Sequence, residues 1–299
     1  MAAFSPSDAA LEGFRLTRNR PGSVLAWAAI FAITIIIAAM LIVTGFAPRI
    51  SGSMGTLNTE DSAAMMRALL NLAPALLALL AVWVGLSGVI GAAIYREVLH
   101  PTDSRMAYLR LNKDEGRQVG ALFTLLFAAM VFSTGVNLLL ILPLRLLLAV
   151  AGKGPTAFIG DTVVLALNVW FGVRLSLLPA MTFATHKIDM VAAWRLTSGH
   201  FWRVFGMLLL SLIFATMVYF LILIVAVAMS VLVAGGDMGV LAHLQNPQVG
   251  MPAQAYAAVS LYAIITLLIP VLAMVIIQAP TAVAYRALAS GPDAGAADI

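Results

Sequence analysis

Six apolar stretches alternate with short polar intervals along this chain, at about residues 24–46, 68–94, 119–142, 162–184, 204–233 and 255–283. Crossing hydrocarbon as a helix takes roughly 20 predominantly apolar residues. Each stretch is therefore read as a transmembrane helix, and the expected fold is all-α, a polytopic membrane protein of six spans. Residues 1–23 precede the first span as an N-terminal segment, in which Leu11 to Arg20 is expected to form amphipathic turns on the membrane surface. Residues 24–288 make the transmembrane domain. Residues 289–299, rich in Ala, Gly and Asp, read as a disordered tail. The first apolar run is too long for the core of a signal peptide and is expected to be a retained anchor. Thr59 or Asp61 is placed to cap the second span, and a short helix is expected in the VLAHL segment after Gly239. Pro143 and Gly199 are the expected interruptions, and Pro179 is expected to bend its span.

Composition agrees with the pattern. Hydrophobic residues make up 62% of the 299 and charged ones 10%, with a mean hydropathy of +1.02. Soluble domains carry roughly a quarter charged residues. No polar interval is long enough to house a soluble domain, and the absence of cysteine excludes thiolate chemistry and disulfides. The Lys and Arg distribution sets the expected orientation. One side collects Arg15, Arg18, Arg20, Arg96, Arg105, Arg110, Lys113, Arg117, Lys187, Arg195, Arg203 and Arg286; the other holds Arg49, Arg67, Arg145 and Lys153. The positive-inside rule then places both termini in the cytoplasm. Tyr95, Tyr108, Trp194, Trp202 and Tyr285 fall at the same inner interface.

A threefold pattern runs through that inner side. Arg15-Leu16-Thr17, Arg110-Leu111-Asn112 and Arg195-Leu196-Thr197 precede the three odd-numbered spans, each with a valine nine residues after the arginine. Tyr95-Arg96, His186-Lys187 and Tyr285-Arg286 close the three even-numbered ones. Either the chain is three repeated helical hairpins, or arginine and leucine simply recur where basic side chains snorkel. In the turn before span five, Asp189, Ala193, Thr197 and His200 share one helical face, opposite Ile188, Val191, Trp194 and Arg195.

Arg174 is the one basic residue deep in a span, where an ionisable group is costly and often functional. Asn168, Asn137 and Ser133 are polar points on the same or the preceding span and form, with Arg174, a candidate intramembrane polar site. The plainer reading satisfies Arg174 with carbonyls freed near Pro179 or with Asn and Ser side chains, and takes the other polar groups as interhelical hydrogen bonds. Gly85-Leu86-Ser87-Gly88 resembles an intramembrane serine-protease motif, but the four histidines, His100, His186, His200 and His243, all lie outside the spans, where none serves as its base. Neither paired intramembrane carboxylates nor metal-spaced histidines occur, so the chain is not expected to be an enzyme, nor to carry a cofactor or metal. The basic interval 105–117 is interleaved with Asp114 and Glu115, which favours anionic headgroups over nucleic acid.

The segment VRLSLLPAMTFATHKIDMVAAWRLTSGHFWRVFG, with Arg174, Pro179, Trp194, Arg195, Leu196, Thr197, Gly199, Phe201 and Trp202, resembles bacterial integral-membrane proteins related to the membrane domain of glycerophosphoryl diester phosphodiesterase. The likeness is specific over these residues and loose elsewhere, and the catalytic barrel is absent. It implies a bacterial inner-membrane location and assigns no catalytic residues. The expected role is a non-enzymatic module that engages lipids or a membrane partner through Arg15, Arg110, Lys113, Trp194, Arg195, Trp202 and Arg203. The alternative is a transporter or channel-like protein with Arg174 in a central cavity facing an anionic or lipid-like substrate.

Overall fold

The computed structural model describes residues 5–54, 61–100, 108–109, 112–143, 156–240 and 252–290, and no strand occurs among them. Two short helices open the chain, α1 (Pro6–Ala10) and α2 (Glu12–Asn19). They lead into α3 (Pro21–Met54) and α4 (Ser62–Leu99). Asp61 caps α4, its Oδ1 accepting from the Ala63 amide at 2.9 Å. Helix α5 (Lys113–Val136) follows and widens into a π-turn, Asn137–Ile141. The chain resumes with α6 (Thr156–Leu175), α7 (Leu178–Thr185), α8 (Met190–Thr197), α9 (Phe201–Val233), α10 (Ala253–Thr266) and α11 (Leu268–Ala289).

Proline chemistry explains the interruptions. A proline has no N–H to offer the carbonyl four residues earlier, and its ring crowds that carbonyl. Counting back four from Pro179 gives Leu175, the last residue of α6. Counting back four from Pro270 gives Thr266, the last residue of α10. From Pro143 the same count falls on Leu139, inside the π-turn. Pro280 leaves α11 unbroken but frees the Ile276 carbonyl within it.

Among the described residues, six helices or helix pairs are long and apolar enough to cross a membrane: α3, α4, α5 with its π-turn, α6–α7, α9 and α10–α11. They outrun the apolar stretches. The first helix starts at Pro21 and reaches Met54 rather than ending near residue 46, and the second covers Ser62–Leu99. At 1.5 Å per residue α4 is about 57 Å long, so it tilts in a bilayer or projects beyond it. Apolar side chains such as Phe123, Phe127 and Met130 on α5, and Met217, Leu221 and Ile224 on α9, lie exposed as lipid contact requires. Leu241 to Leu244 of the VLAHL segment, Arg145, Lys153 and residues 291–299 lie outside the described residues.

The chain divides into two compact units. One comprises Arg20–Ile90 and Ala215–Met274, where Phe31 meets Trp83 edge-on at 5.4 Å and Ala234, Val240, Ala255 and Ala258 form a small-residue core. The other comprises Met1–Asn19, Gly91–Phe214 and Val275–Ile299.

In this second unit the ends of α4, α7 and α11 meet through the same motif. Ala92 and Tyr95, Ala180 and Phe183, and Ala282 with Tyr285 form one cluster, so each helix contributes an alanine and, three residues on, an aromatic ring. The alanines let the backbones approach while the rings fill the space between them. The rings brought together are Tyr95, Phe183 and Tyr285, and His186-Lys187 follows directly after α7. The segment ahead of each odd-numbered span packs back onto the end of an even-numbered one. Helix α8 buries Ala193 against Leu178 and Met181 of α7. Tyr108, ahead of α5, accepts a hydrogen bond from Arg96 at the end of α4. Helix α2 lies with Gly13 against the backbone of Val275 and Ile276 in α11, so close that a Cβ there would stand 2.6 Å from the Ile276 Cα. The N-terminal segment, expected on the membrane surface, thus packs one face on protein, with Gly13 and Leu16 buried and Arg15, Arg18 and Asn19 exposed. Ala9 and Ala10 are buried with Val204, Met207 and Ala284, and Phe14 stands edge-on to Phe214 at 5.4 Å.

Candidate functional site

The break between α6 and α7 frees carbonyls, and the chain satisfies them locally. Ser176 Oγ donates to the Val173 carbonyl at 2.8 Å, and Thr197 Oγ1, at the end of α8, donates to the Arg174 carbonyl at 2.9 Å. Thr197 is fully buried, so this bond fastens the last turn of α8 onto the last turn of α6. Asp189 starts α8, its Oδ1 accepting from the Ala192 amide at 2.9 Å. Gly199, at φ +80°, then turns the chain into α9; the left-handed conformation favours glycine there.

Arg174 lies at this junction. Its carbon Cζ is 5.8 Å from the Trp170 ring, 5.5 Å from Trp194 and 5.8 Å from Phe201. The rings come from α6, α8 and α9, and Trp170 and Trp194 pack edge-on at 5.2 Å. A guanidinium beside an aromatic face gains about 0.5–2 kcal/mol per contact, more as water is excluded. One hydrogen bond joins the set, from Nη1 to Ser198 Oγ at 3.1 Å. Nε is walled off without an acceptor, and no carboxylate reaches the side chain among the described residues. Arg174 thus meets one hydroxyl and three rings, while the freed carbonyls go to Ser176 and Thr197.

The expected companions of Arg174 do not converge on it. Asn168 donates to the Val164 carbonyl of its own helix at 2.9 Å, and Asn137 to the Ser133 carbonyl at 2.8 Å. The basic residues divide. Arg195 and Arg203 are exposed and form no hydrogen bond or ion pair among the described residues, and Trp202 between them in sequence is 77% exposed. Trp194 instead turns inward against Trp170, Phe171 and Arg174. Arg15 is held by Asp8 at 3.6 Å and Glu12 at 3.5 Å on the protein surface. Lys113 is exposed as the first residue of α5, and Arg110 lies outside the described residues.

One pair escaped the sequence reading. Arg96, counted among the inner-side charges, is buried and donates from Nη2 to Glu115 Oε1 at 2.6 Å, with side chains 6% and 3% exposed. Glu115 also accepts from the Asn112 amide at 2.8 Å, and Phe183 lies beside the guanidinium at 5.6 Å. The available signal was Asn112-x-x-Glu115, a helix-start pattern that places a glutamate against the backbone. Asp114, next in sequence, faces outward to Arg117 Nη1 at 2.7 Å and His186 Nδ1 at 3.1 Å.

These features define an all-α, multi-pass membrane protein with an aromatic-walled arginine beside an exposed basic corner. Comparison of the chain with protein-family profiles, curated proteins and solved structures finds no match in any of the three.

Proposed function

We propose that the protein is a non-enzymatic module of the bacterial inner membrane, with both termini cytoplasmic, that gathers anionic phospholipid headgroups at the α8–α9 corner. The observation that carries this reading is the uncompensated set Arg195, Trp202 and Arg203, exposed on consecutive turns in a chain that spans a bilayer. A cation near a membrane surface is attracted by roughly 1 kcal/mol to anionic lipid, and an indole favours the interface. Ile188 and Val191 are exposed on the same stretch and give the corner an apolar edge that can enter the headgroup layer. The resemblance of residues 173–206 to the membrane domains named above supports the location.

The test is fluorescence quenching of reconstituted protein by brominated phosphatidylglycerol against brominated phosphatidylcholine. The difference between the parent and Trp202→Phe isolates the Trp202 signal. Quenching should favour phosphatidylglycerol in the parent and lose that preference in Arg195→Ala/Arg203→Ala. An unchanged preference in the double variant removes the proposal.

A further inference from the structure

We infer that Arg174 forms a phosphate subsite, a fixed cation for the phosphodiester of a single anionic phospholipid, behind the more diffuse basic corner on which this reading rests. A guanidinium carries five N–H donors. In Arg174 one goes to Ser198 and the Nε proton is sealed from any acceptor, leaving Nη2 without a partner among the described residues. Among the described residues no carboxylate supplies the missing negative charge, although the chain pairs the buried Arg96 with Glu115 at 2.6 Å. The contrast is chemical. Arg96 is neutralised from within the protein, whereas Arg174 is surrounded by groups that orient a cation without cancelling its charge.

The surroundings also fix the side chain before any ligand arrives. Trp170, Trp194 and Phe201 limit the guanidinium from three helices, and the Thr197 bond to the Arg174 carbonyl holds the backbone beneath it. Such preorganisation lowers the ordering cost that a flexible surface arginine meets on binding. Arg174 is half-buried rather than sealed, and Ser198 is exposed, so an anion can reach the Nη edge. A planar fork of donors matches two oxygens of a phosphate group better than an ammonium does. The exposed Trp202 and the apolar residues nearby suit an amphiphile, which makes a lipid phosphate the expected carrier, with free phosphate sharing the same recognition chemistry.

Native mass spectrometry of the full chain in detergent tests this, titrated separately with phosphatidylglycerol, phosphatidylcholine and inorganic phosphate. One phosphatidylglycerol should bind in preference to phosphatidylcholine. Arg174→Lys, which keeps the charge and removes the fork, should weaken that binding by about tenfold, the worth of one charge-assisted bond. Arg174→Gln should abolish the preference. Thermal melting of each variant reports whether it folds, and Arg174→Lys carries the test should Arg174→Gln fail to. Displacement of the lipid by inorganic phosphate identifies the phosphate as the recognised group; persistence of the lipid identifies the whole headgroup, and both support the subsite. Undiminished phosphatidylglycerol binding by a folded Arg174→Lys protein overturns it. Loss of binding in Arg195→Ala/Arg203→Ala but not in Arg174→Lys sinks the subsite and leaves the basic corner standing. The reverse pattern retains the subsite and dismisses the corner.

Discussion

Arg96 and Glu115 show how a charge in a polar interval can belong to the core. Together with the Tyr108 carbonyl and the Asn112 amide they complete a closed set of hydrogen bonds at the start of α5. Removing one partner of a buried pair leaves the other charge stranded, at a cost of about 3–5 kcal/mol. Arg96→Ala and Glu115→Ala should each lower stability by that amount in denaturant titrations of the detergent-solubilised protein. Arg96→Met/Glu115→Leu should be less damaging than either, because it strands nothing. Single-variant losses under about 1 kcal/mol, the range of exposed ion pairs, would show the pair to be solvated. The sequence shows both charges but not their meeting. A count of positive residues on each side of a bilayer treats Arg96, which is buried, and Arg195, which is exposed, as equivalent. Arg174 was easier to single out because an isolated cation within an apolar run is conspicuous, yet its cage draws Trp194 and Phe201 from beyond a loop that no spacing rule measures.

Helix α2 is held by shape more than by charge. Gly13 is its contact point with α11, at the turn whose carbonyl Pro280 leaves free, and the gap has no room for a methyl group. A glycine inside a helix ordinarily costs 0.5–1 kcal/mol relative to alanine. Here Gly13→Ala should destabilise instead, by about 1–3 kcal/mol, since the obstructing atoms are backbone and cannot rotate aside. Gly116→Ala on α5, where nothing crowds the added methyl, is the matched control and should be neutral or stabilising. Equal melting temperatures for Gly13→Ala and the parent protein would contradict the packing. The amphipathic character of LEGFRLTRNR was visible in the sequence, but its polar and apolar faces do not reveal whether the apolar one meets lipid or protein. Helix breaks were more legible: Pro179 and Gly199 act where backbone chemistry demands, whereas Pro48, Pro74 and Pro280 lie within unbroken helices.

The six spans follow from hydropathy alone, and the structure retains all of them. Orientation rests on the charge asymmetry, and the absence of cysteine makes it directly measurable. Single-cysteine variants at Ser7, Lys187 and Ser290 should react with a membrane-impermeant maleimide only from the cytoplasmic side; those at Ser62 and Met238 should react only from the opposite side. All five positions are exposed. Labelling of Ser7→Cys and Lys187→Cys from different sides would reverse the topology of the hairpins between them. The recurring pattern was half legible. The Arg-Leu triplets mark the starts of the odd-numbered spans, but linkers of unequal length hid the shared Ala-x-x-aromatic ends, which align only when Tyr95, Phe183 and Tyr285 are seen in one cluster.

The docking of α2 on α11 joins the beginning of the chain to a segment made near its end. Ribosomes add about 5–20 residues per second, so the groove that receives Gly13 emerges roughly 13–50 seconds after Gly13 itself. Until then the first two helices have α9 to pack on, through Ala9, Ala10 and Phe14, but not α11. The docking of α2 is thereby tied to the synthesis of α11.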